Sequence, residues 1–145
     1  MSLWRKLRWG KAPENATIHE ATRVGDVDKV KALLQENPNL VFSTEETAGW
    51  TPLQAAAYRG FEDLAELLLA HGADVDEGGS TNNTPLHLAA DSGNEKMAHL
   101  LLSHHAAFNI KNSDGETPLH IAELARHREK VAIVLRHAVW HGGRG

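Results

Sequence analysis

The chain has 145 residues, 41% hydrophobic and 23% charged, a composition that fits one globular domain and excludes an intrinsically disordered chain. It has no cysteine, which excludes disulfides, thiolate catalysis and cysteine-rich zinc sites, and no apolar run reaches the roughly 20 residues that cross a bilayer. The net charge of −4 is unevenly spread, with +4 in residues 1–13, −10 in residues 36–95 and +3 in residues 123–145, and so acidic a middle argues against nucleic acid as a partner.

In chain order, residues 1–14 form a basic N-terminal segment. Leu3, Trp4 and Leu7 fall on one helical face among Arg5, Lys6 and Arg8, before Gly10 and Pro13 interrupt. A short amphipathic helix is expected here, capping the open edge of the fold that follows; its alternative role is to attach the chain to an anionic membrane surface or to another copy. A membrane is the less favoured partner, because so short a segment needs a second signal for stable anchoring. The opening lacks the continuous apolar stretch of a signal peptide, so a cytoplasmic location is expected.

From residue 15 onward the chain repeats. Thr51-Pro52-Leu53-Gln54-Ala55-Ala56, Thr84-Pro85-Leu86-His87-Leu88-Ala89 and Thr117-Pro118-Leu119-His120-Ile121-Ala122 begin 33 residues apart. Ala16-Thr17-Ile18-His19-Glu20-Ala21 is a weaker first copy, with Ile18 placed 35 residues before Leu53, so two extra residues fall in the first connection. The units are 15–45, 46–78, 79–111 and 112–140, leaving 141–145 as a flexible tail.

Within a unit, threonine is a good N-cap and the following proline fits the first helical position, so a short helix begins at Pro52 and its counterparts. Gln54, His87 and His120 stand where a capping box asks for a reciprocal partner. Gly25, Gly60 and Gly93 break that helix, and a second begins, with Leu64, Leu67 and Leu68 at helical spacing and matching runs at Val30, Met97 and Val131. The second helix of the central unit ends near His71-Gly72, and a polar, turn-rich stretch follows as a hairpin-like finger. Gly49, Asn82 and Gly115 hold its tight turn. Leu86, Leu101 and Leu119 are expected in the core.

The 33-residue period and the Thr-Pro-Leu-His-x-Ala signature resemble the ankyrin repeat family over about residues 15–140. The fold class expected is all-α, an ankyrin-repeat solenoid of four helix-turn-helix units with hairpin-like fingers. The first unit lacks Thr-Pro, and the fourth has Arg126 in place of the glycine.

The resemblance implies a protein-interaction module that binds a partner protein or peptide in the concave groove of finger tips and short first helices. Carried over position by position, its contact residues fall on Thr47, Ala48, Trp50, Tyr58, Arg59 and His71 in the second unit, and on Ser80, Thr81, Asn83, Asp91, Ser92 and His104 in the third. The fourth contributes Ser113, Asp114, Glu116, Leu124, Ala125 and His137, and the first Arg23 and Val24. Trp50 stands out, because its counterparts are Asn83 and Glu116. With Tyr58 and Arg59 it has the composition of a binding hot spot; the alternative is local packing on a neighbouring finger. The expected binding set is Trp50, Tyr58, Arg59, Asn83, Asp91, Ser92, Glu116 and Arg23. The acidic span suits a protein partner with basic or amide-rich groups, and the chain is expected to be a monomer.

Ten histidines raise the question of a metal. The resemblance implies hydrogen bonding between fingers for His87 and His120, with His19 equivalent. His71, His104 and His137 recur near the ends of the second helices, where a positive charge suits the helix dipole, and spacing of about 10 Å between stacked helices is too wide for a shared ion. His137 and His141 have chelating spacing without an accompanying acid. No metal and no cofactor are expected. Asp74-x-Asp76 lacks the remaining ligands of a calcium loop, and no phosphate-cradling loop, nucleophile elbow or His-Glu-x-x-His occurs, so no catalytic residue is assigned and no enzyme is expected.

Overall fold

The Thr-Pro starts fold as their chemistry dictates. Thr51, Thr84 and Thr117 are extended, each hydroxyl accepts from the backbone N–H three residues on, and the Gln54, His87 or His120 side chain accepts from the threonine N–H in return. Two orphan donors of the first turn are thereby satisfied at each start.

The computed structural model describes residues 14–124 and 129–142. Residues 1–13 of the expected N-terminal cap (1–14), together with Ala125 and Arg126, lie outside the described residues, as does the side chain of His141, and Glu14 belongs to the first helix. Eight α-helices occur among the described residues: α1 (Glu14–Val24), α2 (Val27–Glu36), α3 (Pro52–Arg59), α4 (Glu62–Ala70), α5 (Pro85–Ser92), α6 (Glu95–Ser103), α7 (Pro118–Glu123) and α8 (Glu129–Gly142). They form four antiparallel pairs, and among the described residues there is no strand. The chain is an all-helical solenoid. A 3-10 helix, Pro38–Phe42, occupies the first connection, where the two extra residues fall. Helix α8 continues to Gly142, past the expected boundary at 140.

The turn inside each pair is sterically demanding. Gly60 closes α3 at φ 75°, and a Cβ there would collide with the Asn94 side chain, which is itself engaged as N-cap of α6 by accepting from Met97 N at 2.9 Å. At the end of the second helices, Gly72 takes φ 90° and His105, its counterpart, φ 65°, so a residue with a Cβ carries left-handed strain where glycine carries none.

Stacking produces two layers. The first helices α1, α3, α5 and α7 pack successively on one another, and α2, α4, α6 and α8 do the same behind them. Ile18, Leu53, Leu86, Leu64, Leu68, Met97, Leu101, Val131 and Leu135 are fully buried between the layers. Leu119 departs from expectation, being partly buried and packed against the edge of the core. Its equivalent Leu86 lies between α3 and α7, whereas α7 has a neighbouring first helix, α5, on one side among the described residues.

Candidate functional site

The fingers are held to one another by a hydrogen-bonded column that starts from the capping residues. Gln54 Nε2 donates to the Asn83 carbonyl at 2.9 Å, and His87 Nε2 reaches the Glu116 carbonyl at 2.8 Å. His120 caps its own helix but is exposed, with no following finger among the described residues to receive its ring. His19 departs from the column: its Nε2 meets Ser43 Oγ at 3.2 Å, within the first connection.

At the tips, Ser113 N and Oγ donate to Thr81 O, and Asn82 Nδ2 donates to Lys111 O at 2.8 Å. Asn82 holds φ 55°, beside 71° at Gly49 and 77° at Gly115, so asparagine preserves the turn. Asp76 braces the next unit by accepting from Ala107 N at 2.9 Å. This gives the Asp74-x-Asp76 pair a packing role.

The expected site residues divide between this scaffold and a separate surface. Asn83 Oδ1 accepts from Asn112 Nδ2 at 2.9 Å while Asn83 Nδ2 donates to Thr81 Oγ1; Glu116 Oε1 accepts from the same Asn112 amide at 3.3 Å. Both are committed to finger packing. Trp50 and Tyr58 come together, their ring centroids 5.4 Å apart and their planes tilted by 56°. Trp50 is half-buried and Tyr58 remains 41% exposed. Trp50 thus packs locally, on the tyrosine of its own short helix, and the pair presents a joint aromatic surface.

Glu45 fixes the backbone that carries Trp50. Its carboxylate accepts from Thr47 N and Oγ1, Ala48 N and Trp50 N, and its own N–H donates to Trp50 O at 3.0 Å. Burial pushes its carboxyl upward, but these hydrogen bonds prevail and hold it below the ordinary carboxylate range.

Tyr58 also forms a wall of an open cavity of about 390 Å³, lined with it by Arg59, Ser92, Gly93, Asn94, Glu95, Lys96 and Lys130. Tyr58, Arg59 and Ser92 are therefore brought together. Lys96 and Lys130, each the second residue of its helix, were missed by the sequence reading; the shared Glu-Lys start of α6 and α8 was the available signal. Asp91 is half-buried on α5, and Arg23 and Val24 are exposed at the end of α1, away from the lining of this cavity.

The three histidines of the recurring column differ in burial. His71 is half-buried with Nδ1 at 2.9 Å from Leu67 O, while His104 and His137 are exposed. Among the described residues no group of three or more His, Asp or Glu side chains has metal-holding geometry. No helix there is long and apolar enough to cross a membrane. Exposed Ile133, Val139 and Trp140 on α8 were likewise not singled out in the sequence.

A family model for ankyrin repeats, in three copies, matches residues 18–112 and 77–141. The human 2-5A-dependent ribonuclease is 46% identical over 61 residues, covering 42% of this chain and 8% of that protein. Human protein phosphatase 1 regulatory subunit 27 is 38% identical over 61 residues, 42% of this chain and 38% of its own length. Human ankyrin repeat and SOCS box protein 1 is 35% identical over 69 residues, 43% of this chain and 21% of its own. The chain thus spans well under half the length of these relatives. On its repeats, its helix pairs and the family match across nearly the whole array, the chain belongs to the ankyrin repeat family.

Proposed function

We propose that this chain is a protein-interaction module that holds a partner protein or peptide on the face formed by its fingers and short first helices, centred on Trp50 and Tyr58. Ankyrin repeats generally mediate protein–protein interaction, and relatives named as a regulatory subunit and a SOCS box protein are consistent with an adaptor role. The observation that carries the reading is the tilted Trp50–Tyr58 pair at 5.4 Å, in which a half-buried Trp50 supports a Tyr58 ring that stays exposed. Glu46, Glu77 and Asp114 are exposed on the fingers against Lys111, which supports basic or amide groups in the part of the partner that meets the finger tips. The chain is read as a cytoplasmic, monomeric and non-enzymatic binder.

Calorimetry with a partner captured by the wild-type chain tests this. Trp50→Ala should weaken binding by about 2 kcal/mol or more, the scale of a hot spot, with little change in stability. Native affinity in both Trp50→Ala and Tyr58→Ala, with loss on changing Glu62 or Glu66 of α4, would move the interface to the second-helix layer.

A further inference from the structure

The cavity beside Tyr58 carries charge of the opposite sign to the fingers. Arg59 ends α3, and Lys96 and Lys130 are the second residues of α6 and α8, so three successive units each contribute one cation to one depression. Among the described residues none of the three is in an ion pair. Among the described residues the lining holds one carboxylate, Glu95, which lies 4.0 Å from His99 Nε2 on its own helix, so the three cations outnumber it. Of the neutral polar neighbours, Ser92 Oγ donates to Ala89 O and Asn94 Oδ1 accepts from Met97 N. The cations therefore dominate what this depression recognises.

We infer that the cavity binds acidic side chains of the protein partner, so that one bound segment sets an apolar residue on the Trp50–Tyr58 pair and one or more carboxylates among Arg59, Lys96 and Lys130. Tyr58 joins the two subsites, since its ring touches Trp50 and forms a wall of the cavity. Arginine suits this role through its planar fork, which meets a carboxylate with two parallel hydrogen bonds, while the two lysines act as point charges. An incoming carboxylate is attracted by each cation that lines the depression. The inference rests on the protein-binding reading and adds the chemistry of the partner at this end of the site.

The test uses the full isotope-labelled chain and an uncharged-end hexaglutamate peptide, with hexalysine as the opposing probe. Hexaglutamate should shift the amide resonances of Arg59 and of Ser92 through Lys96, with an affinity that falls as salt is raised. The triple variant Arg59→Gln, Lys96→Gln, Lys130→Gln should lose at least tenfold in that affinity, and Glu95→Gln should gain severalfold. All four side chains are at the surface, so these changes leave the fold intact. Shifts confined to residues 1–13, equal affinity in the triple variant, or stronger perturbation of the cavity by hexalysine would overturn the assignment. Hexaglutamate has no apolar anchor and so reads the cavity alone, whereas Trp50→Ala with the captured partner reads the module; either can fail without the other.

Discussion

His87 supplies a quantitative test of how the fingers are held. It is fully buried, as is Thr84. Its Nδ1 accepts from Thr84 N at 3.2 Å, and its Nε2 lies 2.8 Å from the Glu116 carbonyl. A carbonyl accepts and cannot donate, so the ring proton sits on Nε2 and Nδ1 is bare. His87→Ala leaves the buried Thr84 N–H without its acceptor, at about 1–3 kcal/mol, and removes the contact of the Thr84 hydroxyl with Nδ1 at 2.8 Å, while the Glu116 carbonyl keeps Asn112 N; with a void the size of an imidazole added, the expected loss is about 3–5 kcal/mol. With a urea slope near 2 kcal/mol per molar, the unfolding midpoint falls by about 2 M. His87→Gln should cost under about 1.5 kcal/mol, because Gln54 makes the same two bonds one unit earlier, accepting from Thr51 N and donating to Asn83 O, both at 2.9 Å. Urea unfolding followed by circular dichroism reads both. Equal losses for alanine and glutamine, or an alanine loss below about 0.5 kcal/mol, would refute the column as the device that holds the fingers.

The same geometry sets a pH dependence. Burial lowers the His87 pKa, and the pull of the Glu116 carbonyl and carboxylate offsets this in part. Protonating Nδ1 would place N–H against the Thr84 N–H. With the folded value below the unfolded one, the unfolded chain takes up the proton first; stability is complete above about pH 6.5 and declines as pH falls below it. His19 is also lowered by burial, with Glu45 opposing, and adds a slope of the same sign. His87→Gln should flatten part of that decline below about pH 6.5; an unchanged profile would assign the slope to other groups.

Three further outcomes follow from the fold. Leu101→Ala should cost about 2–5 kcal/mol in urea unfolding, since this fully buried side chain lies between the two layers. His105→Gly should raise stability by about 0.5–1 kcal/mol by relieving the left-handed strain of an exposed side chain; a loss would show that the imidazole makes a stabilising contact. Adding EDTA to freshly purified chain should leave the melting temperature unchanged, because mass action through a bound metal would otherwise raise apparent stability.

How far such sites can be read from sequence depends on what fixes each residue. Leu53, Leu86, Gln54 and His87 recur because each packs on, or hydrogen-bonds to, the neighbouring unit; the period therefore exposes layers, caps and fingers. Leu119 and His120 carry the same letters with less burial because the contacts depend on the following unit as well as on the residue. His19 was misassigned because the first connection differs, placing Ser43 beside its ring. Trp50 and Tyr58 were legible as departures from the repeat, although their contact with each other was not. The cavity was hidden for a different reason: its charges come from three units, and no window of sequence contains them. Lys96 stands beside Glu95, just past the −10 span, and Val131 follows Met97 by 34 residues rather than 33, which obscures the equivalence of Lys130 and Lys96. Counting charge along the chain also adds Asp63 and Glu66 of the second-helix layer to Glu46 and Glu77 of the fingers, as though they shared a surface. On the face that carries the site, exposed Glu46, Glu77 and Asp114 lie on the fingers, while Arg59 at the end of α3 and Lys96 and Lys130 near the starts of α6 and α8 line the cavity next to the aromatic pair. A partner with basic groups at one end of its bound segment and acidic groups at the other therefore matches this face in one orientation, and reversing it would oppose like charges at both ends.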